Sequence, residues 1–111
     1  MKHFDEKTKS LTLITKVKDK IKGEVETKTY PFPLFVEGFF TKKAIDLGAE
    51  LEENEYVVDS ELFERLTNYT VELYAKQFTA DELINGIHQG QIINTFINVL
   101  FGVLQGDPKN E

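Results

Sequence analysis

Two histidines, His3 and His88, are the only imidazoles in the chain, and there is no cysteine. A histidine can act as a general base near neutral pH, but only with a partner that orients its ring and a substrate proton within reach. His3 lies in a polar N-terminal stretch and His88 beside a glycine-bounded turn, neither next to such a partner. Without thiols there can be no disulfide, thiolate nucleophile or cysteine metal site. Asp81 and Glu82 are adjacent and fall where a helix begins, so they suit the positive end of its dipole better than an acid and base facing across a substrate. Glu50, Glu52, Glu53, Glu55 and Asp59 form an acidic run without the aspartate spacing or central glycine of a calcium loop. It reads as a solvated loop. Gly86, Gly90, Gly102 and Gly106 are scattered through apolar sequence with no Lys-Ser or Lys-Thr behind them, so no phosphate cradle is written. These residues point to no enzyme, no cofactor and no metal.

What the chain has in quantity is apolar and aromatic surface. Nine Phe and four Tyr are present, and Phe32, Phe35, Phe39 and Phe40 fall within one short stretch. Such a cluster can pack one element onto another, or it can present a docking surface for apolar segments of a partner. The segment from Ile92 to Leu104 is apolar nearly all round a helical axis, more than one side of a small core can cover. The candidate partner-binding residues are therefore Phe35, Phe39, Phe96, Leu100, Phe101 and Leu104, with self-association expected through the last four.

The elements that would hold these residues follow from periodicity. Ser10 to Val17 and Gly23 to Tyr30 alternate loosely and are rich in β-branched residues, with Lys18 to Gly23 as a short polar connection. A β-hairpin is expected, and Pro31 and Pro33 end it, since neither can donate to a ladder. From there the period lengthens to that of a helix. Ala44, Ile45, Leu47 and Leu51 define a short helix with Thr41 as its expected cap. Leu62, Leu66, Tyr69 and Leu73 define the strongest one, capped by Asp59 or Ser60. Thr79 and Glu82 form a capping box for a short third helix, and a last helix begins near Gln91. The expected fold class is α+β, mainly α: an N-terminal β-hairpin followed by three to four helices. One domain spans residues 1–111, with 1–9 and 105–111 expected to be flexible tails.

Net charge is −6, unevenly spread. Residues 1–30 hold 8 Lys against 5 acids, and residues 31–111 hold 5 basic against 14 acidic residues. An acidic body opposes nucleic-acid binding, which needs a basic footprint. The N-terminus lacks the apolar core of a secretory signal, and the stretch from Ile92 to Leu104 falls short of the roughly 20 apolar residues that cross a bilayer. A cytoplasmic setting without membrane contact is expected.

The run Tyr74-Ala-Lys-Gln-Phe-Thr-Ala-Asp-Glu-Leu-Ile-Asn-Gly86 resembles the middle of the small tail assembly chaperones of long-tailed siphophages of Gram-positive hosts. Thr29-Tyr30 with the prolines after a strand pair, the Ala44-Ile-Asp-Leu47 helix and the acidic loop follow in the same order, so the likeness runs from about Thr29 to Gly106. The resemblance implies a bacteriophage protein of the host cytoplasm, absent from the mature virion, which binds and solubilises the tape measure protein during tail assembly. It also implies homo-oligomers, and recruitment of the tail tube protein through a longer form made by ribosomal frameshifting. Pro108-Lys-Asn110 can be encoded as CCA-AAA-AAC, which contains a slippery heptamer. The alternatives are a small structural or head-tail connecting protein retained in the virion, and a host protein-interaction module.

Overall fold

The computed structural model describes residues 1–106. Two strands, β1 (Leu11–Asp19) and β2 (Glu24–Tyr30), precede four helices: α1 (Gly38–Glu53), α2 (Ser60–Leu73), α3 (Ala80–Asn85) and α4 (Ile92–Gln105). The chain is thus α+β and mainly helical, as its change of period near Pro31 predicts.

The strands pair antiparallel, with Leu11 opposite Tyr30 and Ile14 opposite Thr27, and the register shifts between Ile14 and Lys16 and again between Val17 and Asp19. Such bulges bend and twist a ribbon. The connection turns on Asp19, whose carboxylate accepts from the backbone N–H of Ile21 (3.0 Å) and Lys22 (3.1 Å), before Gly23 takes a φ of 72°. A side chain that mimics a turn carbonyl explains why so polar a stretch reverses cleanly. Leu11 and Leu13 face the core, while Thr12 and Thr29 join hydroxyls at 2.8 Å on the opposite face.

Residues 1–9 are not the free tail expected of them. Phe4 bridges to Leu11, the Thr12 N–H donates to the His3 carbonyl (2.7 Å), and His3 Nδ1 donates to the Thr12 carbonyl (2.7 Å). His3 and Phe4 are both buried. The reason is a long-range fit that no local pattern reveals: the Phe4 ring lies over Gly102 of α4, where a Cβ would stand 2.8 Å from Cζ. Tyr74, fully buried, adds a bond from its hydroxyl to the Lys9 carbonyl (2.7 Å).

Helices α2 and α3 start at side-chain caps. Asp59 caps α2 by accepting from the Leu62 N–H (2.8 Å), and Thr79 and Glu82 close the expected capping box on α3. Helix α1 begins at Gly38, three residues before Thr41, and its cap position, Glu37, offers no side-chain bond. A tertiary contact anchors this first turn: Tyr69 of α2 donates its hydroxyl to the Phe40 carbonyl (2.8 Å) and packs its ring edge-on against Phe40. The core between helices and hairpin is built from Leu11, Leu13, Leu47, Leu51, Leu62, Leu66, Leu73, Leu83, Phe96 and Leu100 with their neighbours. Helix α3 meets β1 closely, the Ile14 N–H donating to the Gly86 carbonyl (2.8 Å). A Cβ at Gly86 would stand 2.9 Å from that of Leu13 and 2.6 Å from the Glu82 carbonyl.

Candidate partner-binding surface

The aromatic segment divides into residues that face inward and residues that face out. Phe32 packs edge-on against Tyr74 (5.6 Å between ring centres), and Phe40 does the same against Tyr69 (5.8 Å). The Pro31 carbonyl accepts from Gln77 Nε2 (2.8 Å). The chain is therefore pinned on both sides of Leu34 and Phe35. Pro31 and Pro33 bias the residues before them, Tyr30 and Phe32, toward extended backbone and lack the N–H groups that would continue the ladder, and the chain then bends at Leu34. Leu34 is fully exposed, Phe35 is 77% exposed and Phe39, in the first turn of α1, is 63% exposed. Phe39 touches the outer edge of Phe40 (5.5 Å) but does not enter the core. Large apolar side chains held outward on a pinned backbone present a surface whose ordering cost has already been met in folding.

Helix α4 places its candidates on two sides. Phe96 and Leu100 are 1% and 2% exposed, Phe96 edge-on to Phe63 (5.6 Å) within the core. They support the fold and offer no surface to a partner. The outer stripe of the helix runs Asn94, Asn98, Phe101, Gln105, and only its last turn is apolar, with Phe101 at 45% and Leu104 at 40% exposure. Nine apolar positions in fourteen hide this asymmetry from the sequence; the two asparagines, at a spacing of four, are the signal that marks the outward side. Val57 and Tyr56, which sequence patterns did not single out, are also exposed, as is Ile45, whose spacing placed it with Ala44, Leu47 and Leu51 on the apolar face of α1.

Electrostatics at the surface serve the fold. Arg65 of α2 forks onto Glu50 of α1, with its Nη1 2.8 Å from Oε1, and reaches Glu61 at 3.4 Å. The Arg65 hydrogen bond holds the Glu50 carboxyl below its ordinary value, and Glu50 in turn raises the guanidinium. Burial pushes the phenols of Tyr69 and Tyr74 upward. A groove of about 350 Å³ runs between β1 and α3, lined by Ile14, Lys16, Tyr30, Asp81, Glu82 and Asn85. Glu82 is spent on the capping box, so the groove holds no oriented acid-base pair. Among the described residues no three of His, Cys, Asp or Glu come together as metal ligands, and no helix is long and apolar enough to cross a membrane. His88 uses its Nδ1 to accept from the Gly90 N–H (3.0 Å), a turn role.

No curated protein and no solved structure matches the chain. A family model described as phage tail chaperone protein does match it, over residues 9–111. With nearly the whole sequence covered, the chain belongs to the phage tail chaperone protein family.

Proposed function

We propose that this chain is a non-enzymatic escort of the tape measure protein, acting in the host cytoplasm and leaving before the virion is complete. The observation that carries the reading is the pinned, outward-facing segment Leu34 to Phe39 on a member of a tail chaperone family. A tape measure protein is a long helical chain whose unprotected apolar surface self-associates. Leu34, Phe35 and Phe39, with Phe101 and Leu104 at the end of α4, form the contact with that surface. The net charge of −6 keeps the coated assembly soluble. Phe96 and Leu100 act only by holding α4 in place. Recruitment of tail tube protein falls to a longer form, made by frameshifting at the codons of Pro108-Lys-Asn110, which lie outside the described residues.

Co-expression with the tape measure protein of the same genome tests the proposal. The expected result is a soluble complex that co-purifies. Phe35→Ser and Phe39→Ser should each weaken it by about tenfold or more, the order expected for an aromatic anchor. Both side chains are exposed, so thermal unfolding of the free variants should match the parent. Co-purification that is unchanged in folded variants would move the site elsewhere, and stoichiometric chain in purified virions would replace the escort by a structural component.

A further inference from the structure

We propose that the free edge of β2 pairs with the same edge of a second copy, joining two hairpins into one four-stranded antiparallel sheet. In β1, Thr12 donates its N–H to His3 and Ile14 donates to Gly86, so both point away from β2. Their register partners Thr29 and Thr27 must then point away from β1, because directly opposed residues in an antiparallel pair are either both bonded across the ladder or both turned outward. Alternation adds Val25 to the outward set. Among the described residues nothing bonds to the outward N–H or carbonyl of Val25, Thr27 or Thr29. The outer edge of β1, by contrast, is covered by His3 and Gly86 along its first half.

An open edge accepts strands of many kinds, and the sequence of this one selects its partner. In Glu24-Val-Glu-Thr-Lys-Thr-Tyr30, a two-fold axis through Thr27 sets Glu26 opposite the Lys28 of the other copy, twice over, and Val25 opposite Thr29. Thr27 then exchanges both of its hydrogen bonds with its own equivalent. Centring on Val25 instead would oppose Glu24 to Glu26, and centring on Thr29 would bring in Pro31, which has no N–H to give. The exposed edge of β1 around Val17 would set Lys16 against Lys18. Only one register is self-complementary. It also runs the two hairpins in opposite directions, so the lysine-bearing turn of one copy, Lys18 to Lys22, approaches the acidic helical body of the other rather than its own kind. A two-stranded ribbon is marginal by itself, and four strands relieve that weakness.

Sedimentation velocity of the full chain over a range of concentrations provides the test. The parent should dimerise, and high salt should weaken the dimer. Thr27→Pro removes an N–H that the hairpin does not use, so it should leave the monomer folded and abolish the dimer. Lys28→Glu alone and Glu26→Lys alone should each be monomeric, while an equimolar mixture of the two should form a heterodimer, since the charges then face again. The double variant Glu26→Lys/Lys28→Glu should dimerise like the parent. A parent that stays monomeric at every concentration overturns the proposal, as does association unaffected by Thr27→Pro. Loss of tape measure co-purification in Thr27→Pro, with a monomeric parent, would assign the edge to that partner instead. Failure here leaves the escort reading standing, since that rests on Phe35 and Phe39.

Discussion

Arg65 shows what a single side chain does for this fold. Its fork on Glu50 ties the last turn of α1 to α2, and Glu61 steadies it from one turn before. A two-pronged pair fixes the guanidinium plane in a way a lysine could not. Glu50 has an ordinary pKa of 4.5 and a lower one in the folded state, principally through the Arg65 bond. The pair therefore stabilises the fold above that ordinary value, and its contribution is lost as pH falls through the folded-state value. Asp5, lowered by the backbone N–H groups of Thr8 and Lys7, adds to the same acid limb. Glu50→Gln should unfold in less urea than the parent near neutral pH, and the two midpoints should converge under acid conditions. Acid limbs that run parallel would show that ionisation of Glu50 contributes nothing to stability.

At the scale of the element, the helix ends carry the least expected feature. Helices α1 and α2 both stop in the same motif without a glycine. Tyr56 N–H bonds to the Leu51 carbonyl and Glu55 to Glu52, and Lys76 and Ala75 repeat this with Val71 and Glu72. That is a Schellman closure, normally built on glycine, yet Glu55, Tyr56, Ala75 and Lys76 all have φ between 54° and 63°. Left-handed backbone costs an L-residue roughly 1–2 kcal/mol. Ala75 is exposed, so Ala75→Gly should raise stability by up to about 1 kcal/mol once the greater freedom of the unfolded chain is deducted. Gly86→Ala should do the opposite, costing about 1–3 kcal/mol, because its Cβ meets Leu13 and backbone rather than a yielding side-chain tip. Chemical denaturation of both variants checks the two signs. The same contrast marks what the sequence could convey. The hairpin, the helices and the capping box at Thr79 were legible because alternation and caps are local. The helix ends at Glu53 and Leu73 were not, as no glycine announces them. Nor was the division of the aromatic segment: Phe32 turns inward and Phe35 outward on an irregular backbone after the prolines that has no period to read, and Phe40 turns inward and Phe39 outward in a first helical turn that no side-chain cap announces.

Over the whole molecule, the two ends of the described chain close against each other, and this closure is what turns residues 1–9 from tail into core. Gln91 donates to the Met1 carbonyl (2.7 Å), Lys9 Nζ donates to the Gly106 carbonyl (2.8 Å), and between them Phe4 fills the space over Gly102. The fit makes a demand of α4, which accepts a glycine in its interior at a propensity cost of about 1 kcal/mol relative to alanine. Gly102→Ala in the parent should recover that propensity but drive a methyl into the Phe4 ring, for a net loss of about 1–2 kcal/mol. Phe4→Ala should cost about 3–5 kcal/mol through the cavity it leaves. In the Phe4→Ala background the ring is gone, so Gly102→Ala should now stabilise, keeping the propensity gain and refilling part of the cavity. The effect of one substitution thus reverses sign with the other, a coupling that neither site alone could produce. Urea unfolding of the four proteins in this cycle measures it. The same sign in both backgrounds would mean that the N-terminal segment does not lie on α4 in solution, and that residues 1–9 are a tail after all.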